Sequence, residues 1–349
     1  MYTREILEDR HSPVEDGLPL QGTWTRAFEE VDLLGIHRPF SFPIPRGLKN
    51  FRLKEWLTFT IQNDRFFIRA RLSNLKLLHD AMVIFYDKES GERQIFQKLV
   101  PGSSWKLPNS LYNSSVDSRS YGFFFRIHNW LDTNSIKLEL DIKERGKRAA
   151  FTAHAAFDLA SANTVPQITN QLFSERRSMY TFKAITEVSA DIVTGGSHIQ
   201  LYPKTTSGLF CDYKAYLPYR MRSTWAAGLG FDGDNRRFGF SLAENQIKEQ
   251  FKNNENALWL EGELSSLPPV KITRSNGHDS DWIIQDMEGM VDLIFTPKDY
   301  KRDIMNSIIV HVDYENPLGV FNGQLLDAHG RELPIKNVWG AIDKVALRL

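Results

Sequence analysis

A chain of 349 residues exceeds what one hydrophobic core usually supports, so two domains or one large two-layered body are expected. Lys plus Arg and Asp plus Glu both number 43, a balance that argues against a surface built mainly to grip nucleic acid. The single cysteine, Cys211, excludes an internal disulfide framework and a multi-cysteine zinc site, and no run approaches the ~20 apolar residues of a membrane span.

Along the chain the pattern is β almost throughout. The opening MYTREILEDRHSPVEDG has no apolar stretch of the kind that directs export, so a reducing, cytoplasmic setting is expected. In KEWLTFTIQNDRFFIRARL, Leu57, Phe59 and Ile61 share one face and Trp56, Thr58 and Thr60 the other; Asn63-Asp64 interrupts, and Phe66, Ile68, Ala70 and Leu72 resume the alternation. That pattern predicts a hairpin with a short polar turn. AMVIFYDKESGERQIFQKLV repeats the plan around Gly91. In YGFFFRIHNWLDTNSIKLELDI, Ile136, Leu138, Leu140 and Ile142 oppose Lys137, Glu139 and Asp141, so the second strand has one wet face. The less periodic stretch 145–180 breaks the meander. A junction is expected near its end, with an N-terminal unit at 1–186 and a C-terminal unit at 187–349. Short runs such as MYTFKAITEV, STWAAGLGF, ALWLEGEL, VDLIFTP, SIIVHVDY and GVFNGQLLD follow, parted by TGGS, DGDN, RSNG and AHGR. Strands at a spacing of ~8–12 residues indicate antiparallel barrels or curved sandwiches. Helix is expected only in ENQIKEQFKNN (244–254) and in the tail GAIDKVALRL.

The motifs that carry cofactor or metal chemistry are missing. The nine histidines are scattered without a ligand frame, and His278 sits in the turn-like NGHDSD. There is no G-x-S-x-G and no glycine-rich phosphate loop, so no metal and no cofactor are expected. What stands out is polar residues set in aromatic runs. GLFCDYKAYLPYR holds Asp212, Tyr213, Lys214, Tyr216, Tyr219 and Arg220, with Trp225 soon after. LGIHRPF offers His37, KEWLTF offers Trp56, YTFK offers Tyr180 and Lys183, and ENALWLEG offers Glu255 and Trp259. A carboxyl desolvated by aromatic neighbours has a raised pKa and can act as general acid or base, which singles out Asp212. An ion pair with Lys214 or Arg220 would instead keep it ionised and structural. Glu255 and His37 are the next catalytic candidates, and the other residues are candidate ligand contacts.

Several of these runs, QGTWTRAFEEVDLLGIHRPF, RLKEWLTFTIQNDRFFI, DYKAYLPYR, STWAAG, NENALWLEG, LPPVKI and VDLIFTP, resemble the bacterial family known as domain of unknown function 2804, from about residue 20 to near the C-terminus. That family implies no activity. More distantly, CDYKAY, STWAAGLG, FDGDNRR and FGFSLA follow the order of segments in the carotenoid hydratases and AttH-like proteins. This second resemblance implies two lipocalin-like antiparallel β-barrels, or strongly curved β-sandwiches, with few short helices. It places the hydratase Asp on Asp212; the His that follows it there is Tyr213 here, and the next Trp is missing.

Three functions compete on these grounds. The first is a cofactor-independent enzyme that hydrates or isomerises a largely apolar, lipid- or isoprenoid-like molecule through Asp212. The second is a non-catalytic binder of such a molecule, and the third a structural or interaction module. The expected partner is a small apolar or amphipathic molecule, not nucleic acid. No transmembrane segment is expected, and peripheral membrane contact is left open.

Overall fold

The computed structural model describes residues 1–102, 105–146, 148–275, 277, 280–306 and 311–348; His278 and the start of SIIVHVDY lie outside them. The alternation at 57–61 builds the strand Leu53–Gln62, and Phe66–Asn74 returns beside it with Ile61 opposite Ile68. The Asn63 side-chain oxygen accepts from the backbone N–H groups of Arg65 (3.1 Å) and Phe66 (2.7 Å), which closes the turn locally. Leu78–Asp87 and Glu92–Pro101 form the next hairpin, and Gly91 takes a left-handed φ of 71° between them. Phe123–Trp130 pairs with Ser135–Ile142, where Ile136, Leu138, Leu140 and Ile142 are buried as the pattern requires.

These hairpins and the strands that follow them build two curled antiparallel, lipocalin-like sheets. The first has thirteen strands among the described residues. On one side it holds the meander from Leu53–Gln62 to Glu92–Pro101. On the other it holds the meander from Ser114–Ser120 to the long strand Ser178–Thr194. Ser207–Tyr216 lies between them, paired to Leu53–Gln62 and to Ser178–Thr194. The second sheet, of eleven strands, begins at Arg220–Phe231 and ends with Glu332–Arg348, which pairs with Arg220–Phe231, His311–Glu315 and Leu318–Leu326. The expected junction at 186/187 falls inside the strand Ser178–Thr194; the chain changes sheets between Tyr216 and Arg220.

Each sheet curls around its own core. Leu57, Phe59, Phe125, Phe157 and Phe210 fill the first, and Phe240, Leu293, Phe295 and Phe321 the second. Burying each of these side chains favours folding by roughly 1.5–3 kcal/mol. In the second barrel Gly228, Gly340 and Gly319 stand side by side on adjacent strands. A Cβ on Gly340 would lie 2.1 Å from the Ala227 carbonyl oxygen and 2.6 Å from the Phe321 ring, so the glycine row makes room for aromatic rings. The two sheets pack outer face to outer face through Leu209, Cys211, Tyr213, Met221, Leu229 and Trp259, and through Phe67, Met82, Tyr86, Leu318 and Ala341.

Both expected helices are absent. The tail is part of the strand Glu332–Arg348, where pairing on both edges overrides the helix propensity of its Ala, Leu and Lys residues. Residues 245–256 form a turn-rich loop: the Asn245 side chain accepts from the Ile247 N–H, Asn254 from Asn256 N–H and Asn256 from Ala243 N–H. Asn side chains that bond nearby backbone compete with helix formation. The described α-helix, Arg46–Arg52, follows Pro45 and buries none of its residues. No described helix is long and apolar enough to cross a membrane.

Candidate functional site

Strand alternation sorts the polar stretch 207–216 into two sites. Phe210, Asp212, Lys214 and Tyr216 face the interior of the first barrel, whereas Leu209, Cys211, Tyr213 and Ala215 face the second sheet. Register then says which residues from distant segments join each face.

On the interior face, Lys214 lies opposite Tyr180 on one neighbouring strand and Glu55 on the other. The row extends to Asn170 beyond Tyr180, and to Asn74 and His79 beyond Glu55. A buried polar row thus crosses six strands. Lys214 Nζ donates to Pro108 O (2.7 Å), Asn109 Oδ1 (2.9 Å) and Val31 O (3.2 Å), and stands 3.6 Å from a Glu55 oxygen. The other Glu55 oxygen meets Lys76 and the Asn74 amide. His79 Nδ1 accepts from the Trp105 backbone N–H (3.2 Å), which leaves the proton on Nε2, an atom with no partner. Burial, with Lys76 adding and Glu55 opposing, holds the His79 pKa below its ordinary value.

This row underlies a cavity of about 880 Å³ at the barrel mouth. Its wall is mixed: Leu34, Phe51, Leu53, Trp105 and Leu107 are apolar, and Glu55, Asn74, Lys76, His79 and Asn109 polar. Such a wall suits a molecule with an apolar body and a polar group.

One row deeper the chemistry changes. Asp212 lies between Phe182 and Leu57, and the row continues through Ile168 and Trp24 on one side and Leu72 and Ala81 on the other. Asp212 is the ionisable group of an otherwise apolar row. It is 2% exposed, and its Oδ1 has no hydrogen-bond partner. Desolvation pushes its pKa up from 3.8 to about 7; Glu55 adds to the rise, and Lys214 and the Tyr213 N–H oppose it. A carboxyl with that pKa is present in both protonation states near neutrality. Tyr180 is also close, and burial together with the Asp212 charge raises its pKa well above the ordinary value.

On the outer face lies the second cluster. Glu255, fully buried, pairs with fully buried Lys183 at 2.7 Å. Its oxygens also accept from Tyr213 Oη (3.0 Å), Asn245 Nδ2 (3.1 Å) and Trp225 Nε1 (3.2 Å). Lys183 completes its shell with Ser241 Oγ and Glu255 O. Trp56 stacks on Tyr213 at 4.8 Å, and Trp259 Nε1 donates to Val165 O. Arg4 reaches into this seam and donates to the Asn254 and Asn256 carbonyls. Four satisfied contacts leave the Glu255 carboxylate little capacity for a substrate and tie the two sheets together.

The interior therefore gathers Asp212, Lys214, Tyr180 and Tyr216, whose hydroxyl donates to Leu33 O. The seam gathers Glu255, Lys183, Tyr213, Trp56, Trp225 and Trp259. Three candidates join neither cluster. His37 is exposed in a loop, Tyr219 is 54% exposed, and exposed Arg220 lines a separate surface hollow with His311 and Arg348. The alternative of an Asp212–Arg220 pair is not what the structure contains. Sequence reasoning passed over Asn74, Lys76, His79 and Trp105. His79 was within reach: counting back by twos from the inward Phe85, Val83 and Ala81 lands on it.

Comparison with solved structures finds the same fold at low identity. CghA crystallised with Sch210972 is 9% identical, with 85% of this chain and 88% of that chain covered and a TM-score of 0.55. Kievitone hydratase from Nectria haematococca is 10% identical, with coverage of 84% and 88% and a TM-score of 0.47. A putative AttH from Nitrosomonas europaea is 13% identical, with coverage of 87% and 96% and a TM-score of 0.48. No curated protein matches the chain. A family model matches residues 5–349, nearly the whole length described above, and by that match the chain belongs to the family described as Domain of unknown function (DUF2804).

Proposed function

We propose that the chain takes a largely apolar small molecule into the first barrel and transforms it by acid–base chemistry at Asp212, as a hydratase or isomerase without a cofactor. The observation that carries this reading is the place of Asp212: a half-unpartnered carboxyl in an apolar row, one row below a cavity, with a pKa of about 7. In the acid form it would protonate a carbon–carbon double bond. The resulting cation would then be captured by water, with loss of a proton, or would lose a proton from the neighbouring carbon back to the carboxylate. Tyr180 and Phe182, beside Asp212, offer ring faces to that cation.

A binding-only role is favoured by one specific observation: Asp212 is not among the residues that line the cavity, whereas Glu55, Asn74, Lys76 and His79 are. One variant separates the two. The molecule co-purifying with the wild-type chain is extracted, identified by mass spectrometry and offered back to wild type and Asp212→Asn. Catalysis predicts conversion by wild type, loss of turnover in the variant by about 10²–10⁴-fold and retained binding. Equal binding and no conversion by either supports the binder; recovery of no molecule counts against both.

A further inference from the structure

The rim of the same cavity is built inside out. In the turn Leu75-Lys76-Leu77, Lys76 has a left-handed φ of 74°, and its ammonium folds inward to Glu55. Leu75 and Leu77 instead point to solvent, 41% and 60% exposed. A turn that sends its lysine in and its leucines out spends exposed apolar surface where an ordinary turn would not. The adjoining segment does the same. Lys54 Nζ donates to both Phe51 O and Leu75 O, which binds the turn to the end of the helix Arg46–Arg52. On that helix Leu48 and Phe51 face solvent, as does Phe42 on the loop before it.

Charge accompanies the apolar surface. Residues 33–54 contain no Asp or Glu; of their basic residues Lys54 is buried and Lys49 donates to Leu34 O and Ile36 O, while Arg38 and Arg46 are exposed. Arg38 and Lys106 are exposed, and Arg46 and Lys106 line the cavity opening. The neighbouring acids are already occupied: Asp32 with Arg46 and Glu55 with Lys76 and Lys214.

We propose that this face docks on a lipid bilayer with anionic headgroups, setting the mouth of the first barrel against the membrane. Leu48, Phe51, Leu75 and Leu77 enter the interface between headgroups and acyl chains, and the exposed Arg38, Arg46 and Lys106 meet the anionic lipids. A protein partner of like acidity is disfavoured because the apolar groups are scattered around an opening instead of forming one groove. The inference rests on the proposed function only for the direction of traffic, an apolar molecule passing from bilayer to barrel; the docking itself does not require catalysis.

The test is co-sedimentation of the full chain with vesicles of phosphatidylcholine alone and of phosphatidylcholine mixed with phosphatidylglycerol. Binding is expected only to the mixed vesicles, weakening as salt is raised. The double variant Leu75→Glu/Leu77→Glu, altered at exposed positions, is expected to keep its circular dichroism spectrum and to bind these vesicles at least about tenfold more weakly. The charge variant Arg38→Glu/Lys106→Glu is expected to weaken binding while leaving the leucines in place. Failure of the wild type to bind mixed vesicles, or unchanged binding by folded Leu75→Glu/Leu77→Glu, overturns the proposal. A wild-type dimer that this variant converts to monomer, with no vesicle binding, would assign the face to a second copy and overturn it too. Extraction of an apolar molecule from a vesicle-blind wild type would sink the docking and leave the ligand reading standing.

Discussion

The two barrels share one architecture and differ in what fills them. The second is closed by rings: Phe240, Phe295 and Phe321 occupy the space above Gly228, Gly340 and Gly319. The first carries a polar row from Asn170 to His79, a cavity above it and a lone carboxyl below it. The second barrel also has a polar row, Glu244–Thr224–Lys344–Glu315, but its carboxylates meet cations: Glu315 pairs with Lys344 and Arg274, and Glu244 with Lys271. In the first barrel Asn170, His79 and Asp212 each keep a buried polar atom without a partner, which lowers stability. On the proposed function, ligand chemistry belongs to the first barrel and support to the second.

The largest expected effect tests the seam that holds the unlike barrels together. Glu255→Ala leaves Lys183 buried without its anion and is expected to cost about 3–5 kcal/mol, read as a shift in the guanidinium midpoint. Adding Lys183→Met should recover much of that loss; if it does not, the pair is not what binds the seam.

The second prediction concerns the lone carboxyl. In the unfolded chain Asp212 ionises at its ordinary 3.8, and in the folded chain at about 7. Between those values unfolding releases a proton, so wild-type stability falls as pH rises, and the penalty is complete above the folded pKa. Asp212→Asn removes the titration. The variant is therefore expected to match wild type near the lower value and to exceed it by a few kcal/mol above neutrality. Denaturation curves across that pH range check the sign, and a gap that widens toward acid would refute the assignment.

A third, smaller effect contrasts the interiors directly. Gly340→Ala drives a methyl into the Ala227 carbonyl and the Phe321 ring and should cost about 1–3 kcal/mol. Leu107→Phe, at the cavity wall of the first barrel, should change stability by under ~1 kcal/mol while reducing the amount of co-purifying molecule. Equal costs at both positions would mean that the two interiors are alike.

Much of this could be read from the residues. Period-two alternation placed Leu57, Phe59 and Ile61 inside and found three hairpins with their turns. GLFCDYKAYLPYR reads as one stretch, whereas strand alternation sends Asp212 and Tyr213 to opposite faces and divides it between two sites. The missing knowledge was pairing. That Lys214 meets Tyr180 and Glu55, or that Lys183 meets Glu255, depends on which strands become neighbours, and local sequence carries little of that information. The two helix expectations failed for the same reason: propensity is local, and strand pairing at the tail and asparagine bonding in 245–256 outweighed it.

The position of Ser207–Tyr216 bears on how the molecule is made. It is the last strand of its sheet along the chain, yet it sits in the middle, between Leu53–Gln62 and Ser178–Thr194. Until it emerges from the ribosome, each of the two meanders offers an open edge of unpaired amides and carbonyls, a template for pairing with the wrong chain. The second sheet repeats the arrangement with Glu332–Arg348, and Arg4 must wait for Asn254, 250 residues later, to complete the seam. Closure by late, distant strands makes for high contact order and slow maturation, and help from chaperones would matter most before the central strand is in place.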